Sequence, residues 1–98
     1  MDEVNFRTWM SSKGVNSKVI SDTVSRLKRL EKELGNCDID EEYSADGCKR
    51  IVSALANNGN NEVMHSFQST NLPIGKYYMS TFRYALKKYV DFRSQKST

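Results

Sequence analysis

The chain has one proline, one histidine, two cysteines and no long apolar run. Its one Asn-Gly pair, at Asn58, lies between helical patterns rather than β-branched runs, so a hairpin is not expected and the pair reads as a linker. Nothing sustained alternates at period two. Cys37 and Cys48 stand eleven apart; with no CxxC pair and a single His there is no zinc set. The two are read as free thiols in a reducing compartment, with a disulfide as the lesser alternative. No stretch approaches the roughly 18 apolar residues that span a membrane. The opening "MDEVNFRTW" has neither the basic nor the apolar region of a signal peptide. A cytoplasmic chain without a membrane partner is expected. A GxxxxGK phosphate loop and a Ser, His and acid constellation are both missing. His65 stands alone and suits a surface or packing role. The chain is therefore expected not to be an enzyme, with no cofactor, no metal and no small-molecule substrate.

What is present is a small helical domain. Ninety-eight residues, 38% hydrophobic and 28% charged, make one unit over 1–98. Asp2 is placed to cap a first helix carrying Val4, Phe6, Trp9 and Met10, with Gly14 as terminator. Ser17 is placed to cap a second, whose apolar set Ile20, Val24, Leu27, Leu30 and Leu34 recurs at steps of four, three, three and four before Gly35. A loop is expected over about 35–45, then a third helix opened by Ser44 or Asp46 through Ile51, Val52 and Leu55. Residues 57–75 read as a second irregular region, with a turn or two packing Val63, Met64 and Phe67. An extended connector at Pro73 follows. A last helix begins near Gly75 and places Tyr78, Phe82, Ala85, Leu86, Tyr89 and Phe92 on one face, with a frayed tail over 93–98. Six of the ten aromatics lie between Tyr77 and Phe92, so this helix should anchor the core. Trp9 should pin the first helix to it. The expected fold is an all-α compact bundle of four main helices.

Charge is segregated along the chain. The net charge is only +3, but "CDIDEEYSAD" holds Asp38, Asp40, Glu41, Glu42 and Asp46 with no base. From Ser66 onward six Lys or Arg face the single acid Asp91. The acidic run alternates as D-x-D-x-E without the glycine and terminal Glu of a calcium loop. It reads as a solvated loop turned away from a positive face. On the second helix Lys18, Ser21, Ser25, Lys28, Arg29 and Lys32 share a polar arc, with Asp22, Arg26 and Glu33 toward the other flank. The last helix repeats the arrangement with Lys76, Ser80, Arg83, Tyr84 and Lys87, Tyr84 being the one aromatic off the apolar stripe. Long cations reach phosphates and small hydroxyls let a backbone approach, so two such helices side by side make a shallow cradle for double-stranded DNA. Lys with Ser is also ordinary composition for any solvated face.

The order "FRTWMSSKG", then "NSKVISDTVSRLKRLEKELG", then "YYMSTFRYALKKYVDF" resembles the N-terminal core-binding, SAM-like domain of phage integrases and other tyrosine recombinases. There "F..WL....S..Ti..Y...L..f" leads to "...R..ALR.fY.F". Phe6, Trp9, Ser17, Val19, Ile20, Leu27, Arg83, Ala85, Leu86, Tyr89 and Phe92 fit that pattern. The resemblance covers most of the chain and rests mainly on core spacing. It implies half of a clamp around duplex DNA, with the second and last helices making the contacts and other recombinase subunits as further partners. Recombinase chemistry belongs to a separate domain with Arg, Lys, His-x-x-Arg and a nucleophilic Tyr. Here His65 is followed by "SFQ", leaving Gln68 where an Arg is required. The expectation is a non-catalytic DNA-binding domain, either part of a larger recombinase or nuclease or standing alone. The alternative is a protein-interaction module whose basic face docks an acidic partner, and a small enzyme is a third reading.

Overall fold

The computed structural model describes residues 1–59, 61–66 and 76–96, with the side chains of Asn58, Lys76, Tyr77 and Lys96 excepted. The all-α class is what these residues build. Asp2 caps α1 (Glu3–Ser12), its carboxylate accepting the Asn5 N–H at 3.4 Å. α1 gives way at Gly14, whose φ of 80° only a residue without Cβ adopts readily. The cap of α2 (Ser17–Glu33) is Asn16, not Ser17: Asn16 Oδ1 accepts the Lys18 N–H at 2.8 Å. Both side chains suit an N-cap, and Asn16 holds it one residue earlier. All five apolar positions expected along α2 are buried.

The acidic stretch departs from expectation. It is a helix, α3 (Ile39–Asp46), capped by Asp38, whose carboxylate accepts the Asp40 N–H at 2.9 Å. Acids crowd its first turn, where they complement the partial positive charge of the helix N-terminus. Long-range partners hold it further. The Met1 amine lies 3.1 Å from Asp38, 3.4 Å from Asp40 and 3.5 Å from Glu31. Tyr89 donates its hydroxyl hydrogen to Asp40 at 2.5 Å and accepts the Asp2 N–H at 2.8 Å. Arg93 reaches the same Asp40 oxygen at 3.1 Å. Burial first, and then the bond to Asp40, push the Tyr89 phenol above its ordinary range, so it stays a donor. What reads as a solvated loop is the polar seam joining α1, α2, α3 and the last helix.

A turn with Gly47 and Cys48 both at positive φ, 69° and 67°, leads into α4 (Lys49–Leu55). Neither Ser44 nor Asp46 opens α4, since both belong to α3 and Cys48 is the N-cap. Asp46 instead accepts the Lys49 and Arg50 N–H groups at 3.1 Å each across the turn. Cys48 is buried and Cys37 half-buried, and both are free. Burial pushes their thiols up to about 12 and about 11, which keeps them protonated and poorly nucleophilic. A 3-10 turn (Ala56–Gly59) and α5 (Glu62–Ser66) follow. Asn61 ties them together, its amide donating to the Ala54 and Ala56 carbonyls at 2.9 and 2.7 Å while its oxygen accepts the Met64 N–H at 2.8 Å. Phe67 and the connector at Pro73 lie outside the described residues.

α6 (Lys76–Lys96) closes the domain. It does not fray after Phe92. Arg93 holds Asp40, Ser94 shares a hydrogen bond with Tyr43 at 3.2 Å, and Gln95 accepts the Trp9 indole N–H at 3.0 Å. These polar contacts continue the helix past the last apolar residue. Met79, Phe82, Ala85, Leu86, Tyr89 and Phe92 are buried. Phe6 of α1 meets Tyr89 and Phe92 edge-on at 5.1 and 5.5 Å, the arrangement that aligns ring edges with ring faces. Trp9 is half-buried against the same cluster, 5.8 Å from Phe92. Three residues expected inward lie outward: Val4 is 75% exposed, Val52 50% and Tyr78 50%. The described residues form six α-helices, of which α1, α2, α4 and α6 fall where four were expected. α3, at 8 residues longer than the 7 of α4, replaces the expected loop, and α5 falls where a turn or two was expected.

Candidate nucleic-acid interface

The polar arc of α2 divides according to its neighbours. Lys28 and Ser21 turn toward α1. Lys28 Nζ pairs with Glu3 at 2.7 Å, and Arg7 donates to Ser21 Oγ at 3.5 Å while pairing with Glu3 at 2.9 Å. The hydrogen bonds from Lys28 and then Arg7 hold the Glu3 carboxyl below its ordinary range. Lys28 therefore meets a carboxylate that competes with any outside anion.

Lys18, Ser25, Arg29 and Lys32 remain on the outward side, all exposed. At 1.5 Å rise per residue the row from Lys18 to Lys32 spans about 21 Å. The ammonium groups of Lys18 and Lys32 have no polar partner among the described residues. Beside this row an open cavity of about 350 Å³ lies between α2 and the N-terminal half of α6, lined by Ser25, Arg26 and Arg29 from one helix and Tyr78, Thr81 and Phe82 from the other. Arg26, which the helical projection sets on the opposite flank, thus joins the basic groove. Tyr78, expected in the core, stands half exposed at its edge. Both follow from where α6 crosses α2, a fact that the periodicity of one helix does not contain.

The α6 row has different surroundings. Arg83 is half-buried and donates to the Leu55 carbonyl at the end of α4 at 2.9 Å, and to Ser80 Oγ at 3.4 Å. That carbonyl belongs to the last turn of α4, where no intrahelical donor remains. The expectation that Arg83 faces solvent without packing contact is corrected on this point. Lys87 is exposed on the same side, next to α4. The two rows consequently flank different helices, and the single cradle expected of them is not formed by these side chains. Tyr84 is 40% exposed, as expected for an aromatic off the stripe, with Lys88 Nζ 5.7 Å from its ring centroid. Ser80 is exposed, and the side chain of Lys76 lies outside the described residues.

The α3 acids lie away from the α2 row, whereas Asp22 and Glu33 are on α2 itself, four residues from Lys18 and Arg26 and from Arg29 respectively. Asp38, Asp40 and Glu31 of α2 converge on the Met1 amine. Glu31 also accepts the Ile39 N–H at 3.0 Å, and Asp40 pairs with Arg93 near the end of α6. Among the described residues no three His, Cys, Asp or Glu side chains are grouped to hold a metal ion. Among the described residues no helix is long and apolar enough to cross a membrane. Compared with known protein families, with curated proteins and with solved structures, the chain finds no match.

Proposed function

We propose that this chain is a non-catalytic domain that binds double-stranded DNA through its phosphate backbone, of the core-binding kind found in phage integrases and other tyrosine recombinases. The observation that carries the proposal is the outward face of α2, where Lys18, Ser25, Arg29 and Lys32 are exposed along about 21 Å. Duplex DNA carries a charge about every 1.7 Å of its axis, so a row of that length meets several phosphates. Arg26 and Arg29 extend it into the groove shared with Tyr78 and Thr81. The Thr81 hydroxyl donates to the Tyr78 carbonyl at 2.7 Å, so the groove meets phosphate through its guanidinium groups. Contacts of this kind position a domain on DNA and carry little sequence information, so limited base readout goes with them. The order of helices, with an aromatic α1 and a long α6 packed by Phe82, Tyr89 and Phe92, supports the recombinase-type assignment. Lys28, Arg83 and Lys87 are left out of the interface because of what surrounds them.

The test is the salt dependence of binding to a generic duplex, read by fluorescence anisotropy. Four phosphate contacts give a slope of log affinity against log salt of about −3 to −4, with unrelated sequences bound alike. A slope near zero, or no binding in low salt, removes the proposal.

A further inference from the structure

The α4 side of α6 holds a second cavity, of about 310 Å³, that the DNA reading does not use. Its walls are Val52 and Leu55 from α4 and Leu86 and Val90 from α6, and two cations, Arg83 and Lys87, stand in the same lining, with no carboxylate among the described residues there. Leu55 and Leu86 are buried and form the floor, while Val52 is 50% exposed and forms an open lip. An exposed valine at a cavity mouth leaves apolar surface in water that a partner's side chain would cover. Arg83 is held by the Leu55 carbonyl at 2.9 Å, so one cation is fixed in place before anything binds. A fixed cation spends less conformational freedom on binding than a mobile one. Lys87 is exposed beside it, with no polar partner among the described residues.

We infer that this cavity is a docking site for an acidic amphipathic helical segment of a protein partner. One apolar side chain of the segment fills the space between Val52, Leu55, Leu86 and Val90, and carboxylates one helical turn away meet Arg83 and Lys87. The volume is at the small end for ligand cavities and suits one anchoring side chain rather than an extended ligand. Both halves of the recognition come from the same lining: the apolar floor requires an apolar anchor, and the unbalanced positive charge selects acidic neighbours. The site is independent of the α2 face, since Lys18, Arg26, Arg29 and Lys32 do not line it.

The probe is a synthetic helical peptide of about 15 residues, with Leu at successive three- and four-residue steps and Glu elsewhere. A second peptide replaces Leu by Ser at equal charge, and a third replaces Glu by Lys. Methyl spectra of the whole chain are followed up to about 1 mM peptide. The expected result is that the Glu/Leu peptide alone shifts the methyl signals of Val52, Leu55, Leu86 and Val90. Val52→Asp, a change at an exposed position, should weaken that peptide about tenfold, as should Lys87→Glu. Both variants should keep the parent's melting temperature, and Val52→Asp should keep the parent's affinity for duplex DNA. No methyl shift, or equal shifts with the Glu/Ser or Lys/Leu peptide, overturns the inference. Loss of duplex binding by the parent protein would remove the α2 reading and leave this one standing.

Discussion

Two helices of this domain carry Lys and Arg among small hydroxyls at helical spacing, and their neighbours give the two rows different chemistry. On α2 the outward residues Lys18, Ser25, Arg29 and Lys32 face solvent, with Arg26 lining the groove beside them. On α6, Arg83 closes the end of α4 through the Leu55 carbonyl, and Lys87 borders apolar walls. Similar composition therefore leaves a row of exposed cations in one place, the proposed phosphate surface, and cations beside apolar walls in the other. A cation's partner is decided by what the adjacent helix presents.

The comparison depends on the rotation of α6, and the largest expected effect tests that rotation. Phe82 is 3% exposed and belongs to the hydrophobic core. Phe82→Ala should cost about 3–5 kcal/mol, seen as a marked fall in denaturant midpoint. A stability equal to the parent's would mean that α6 presents another face to the core, and both rows would have to be reassigned. A smaller effect separates members of the α6 row. Arg83→Met keeps the aliphatic stem and removes the bond to Leu55, so it should cost about 1–2 kcal/mol. Lys87→Ala should change stability by no more than about 0.5 kcal/mol. Equal effects would erase the distinction between a structural and a surface cation.

The smallest expected effect belongs to the seam at Met1. Burial lowers the amine's pKa, but the Asp38 hydrogen bond and the nearby Glu31 and Asp40 charges outweigh it and raise the value above the ordinary 8.0. The Asp38 carboxyl lies below its ordinary 3.8, chiefly because it accepts the Asp40 N–H. A raised amine stabilises fully below 8.0, and its contribution fades as pH climbs through the folded value. A depressed carboxyl stabilises above 3.8 and fades as pH falls through its folded value. Melting temperature should therefore be flat between these limits and fall gently just outside them. A steeper alkaline loss should follow above 9.0, where the buried Cys37 and Cys48 thiols, pushed up to about 11 and about 12, favour the fold only while protonated. Acetylating the Met1 amine should lower the plateau and flatten the alkaline limb. An alkaline limb unchanged by acetylation would show that the seam does not depend on that charge.

Much of the fold is legible in the sequence because burial repeats at helical steps. The apolar sets of α2 and of α6 from Phe82 onward are buried as their spacing implies, and Gly14 and Gly35 end their helices at positive φ. The acidic helix is not legible in this way. Two of its carboxylates, Asp38 and Asp40, are satisfied by Met1, Tyr89 and Arg93, all distant in sequence, and a local reading takes such a run for solvated loop. The candidate site is legible by half. A helical projection finds which residues share a face, so the outward α2 row could be read directly. It does not say which neighbour lies against each flank, and so it separated Arg26 from the groove, set Tyr78 in the core and left Arg83 in solvent.

The central claim is that α2, and not the α4 side of α6, neutralises phosphate. It is tested most directly by comparing salt slopes for one generic duplex across two variants. Lys18→Ala/Arg29→Ala/Lys32→Ala should flatten the slope of log affinity against log salt by up to about 2.7 units, at about 0.9 per contact, with the helical circular dichroism signal unchanged. Lys87→Ala should leave the slope at the parent's value. A slope untouched by the triple change, or flattened by about 0.9 on replacing Lys87 alone, would contradict the assignment.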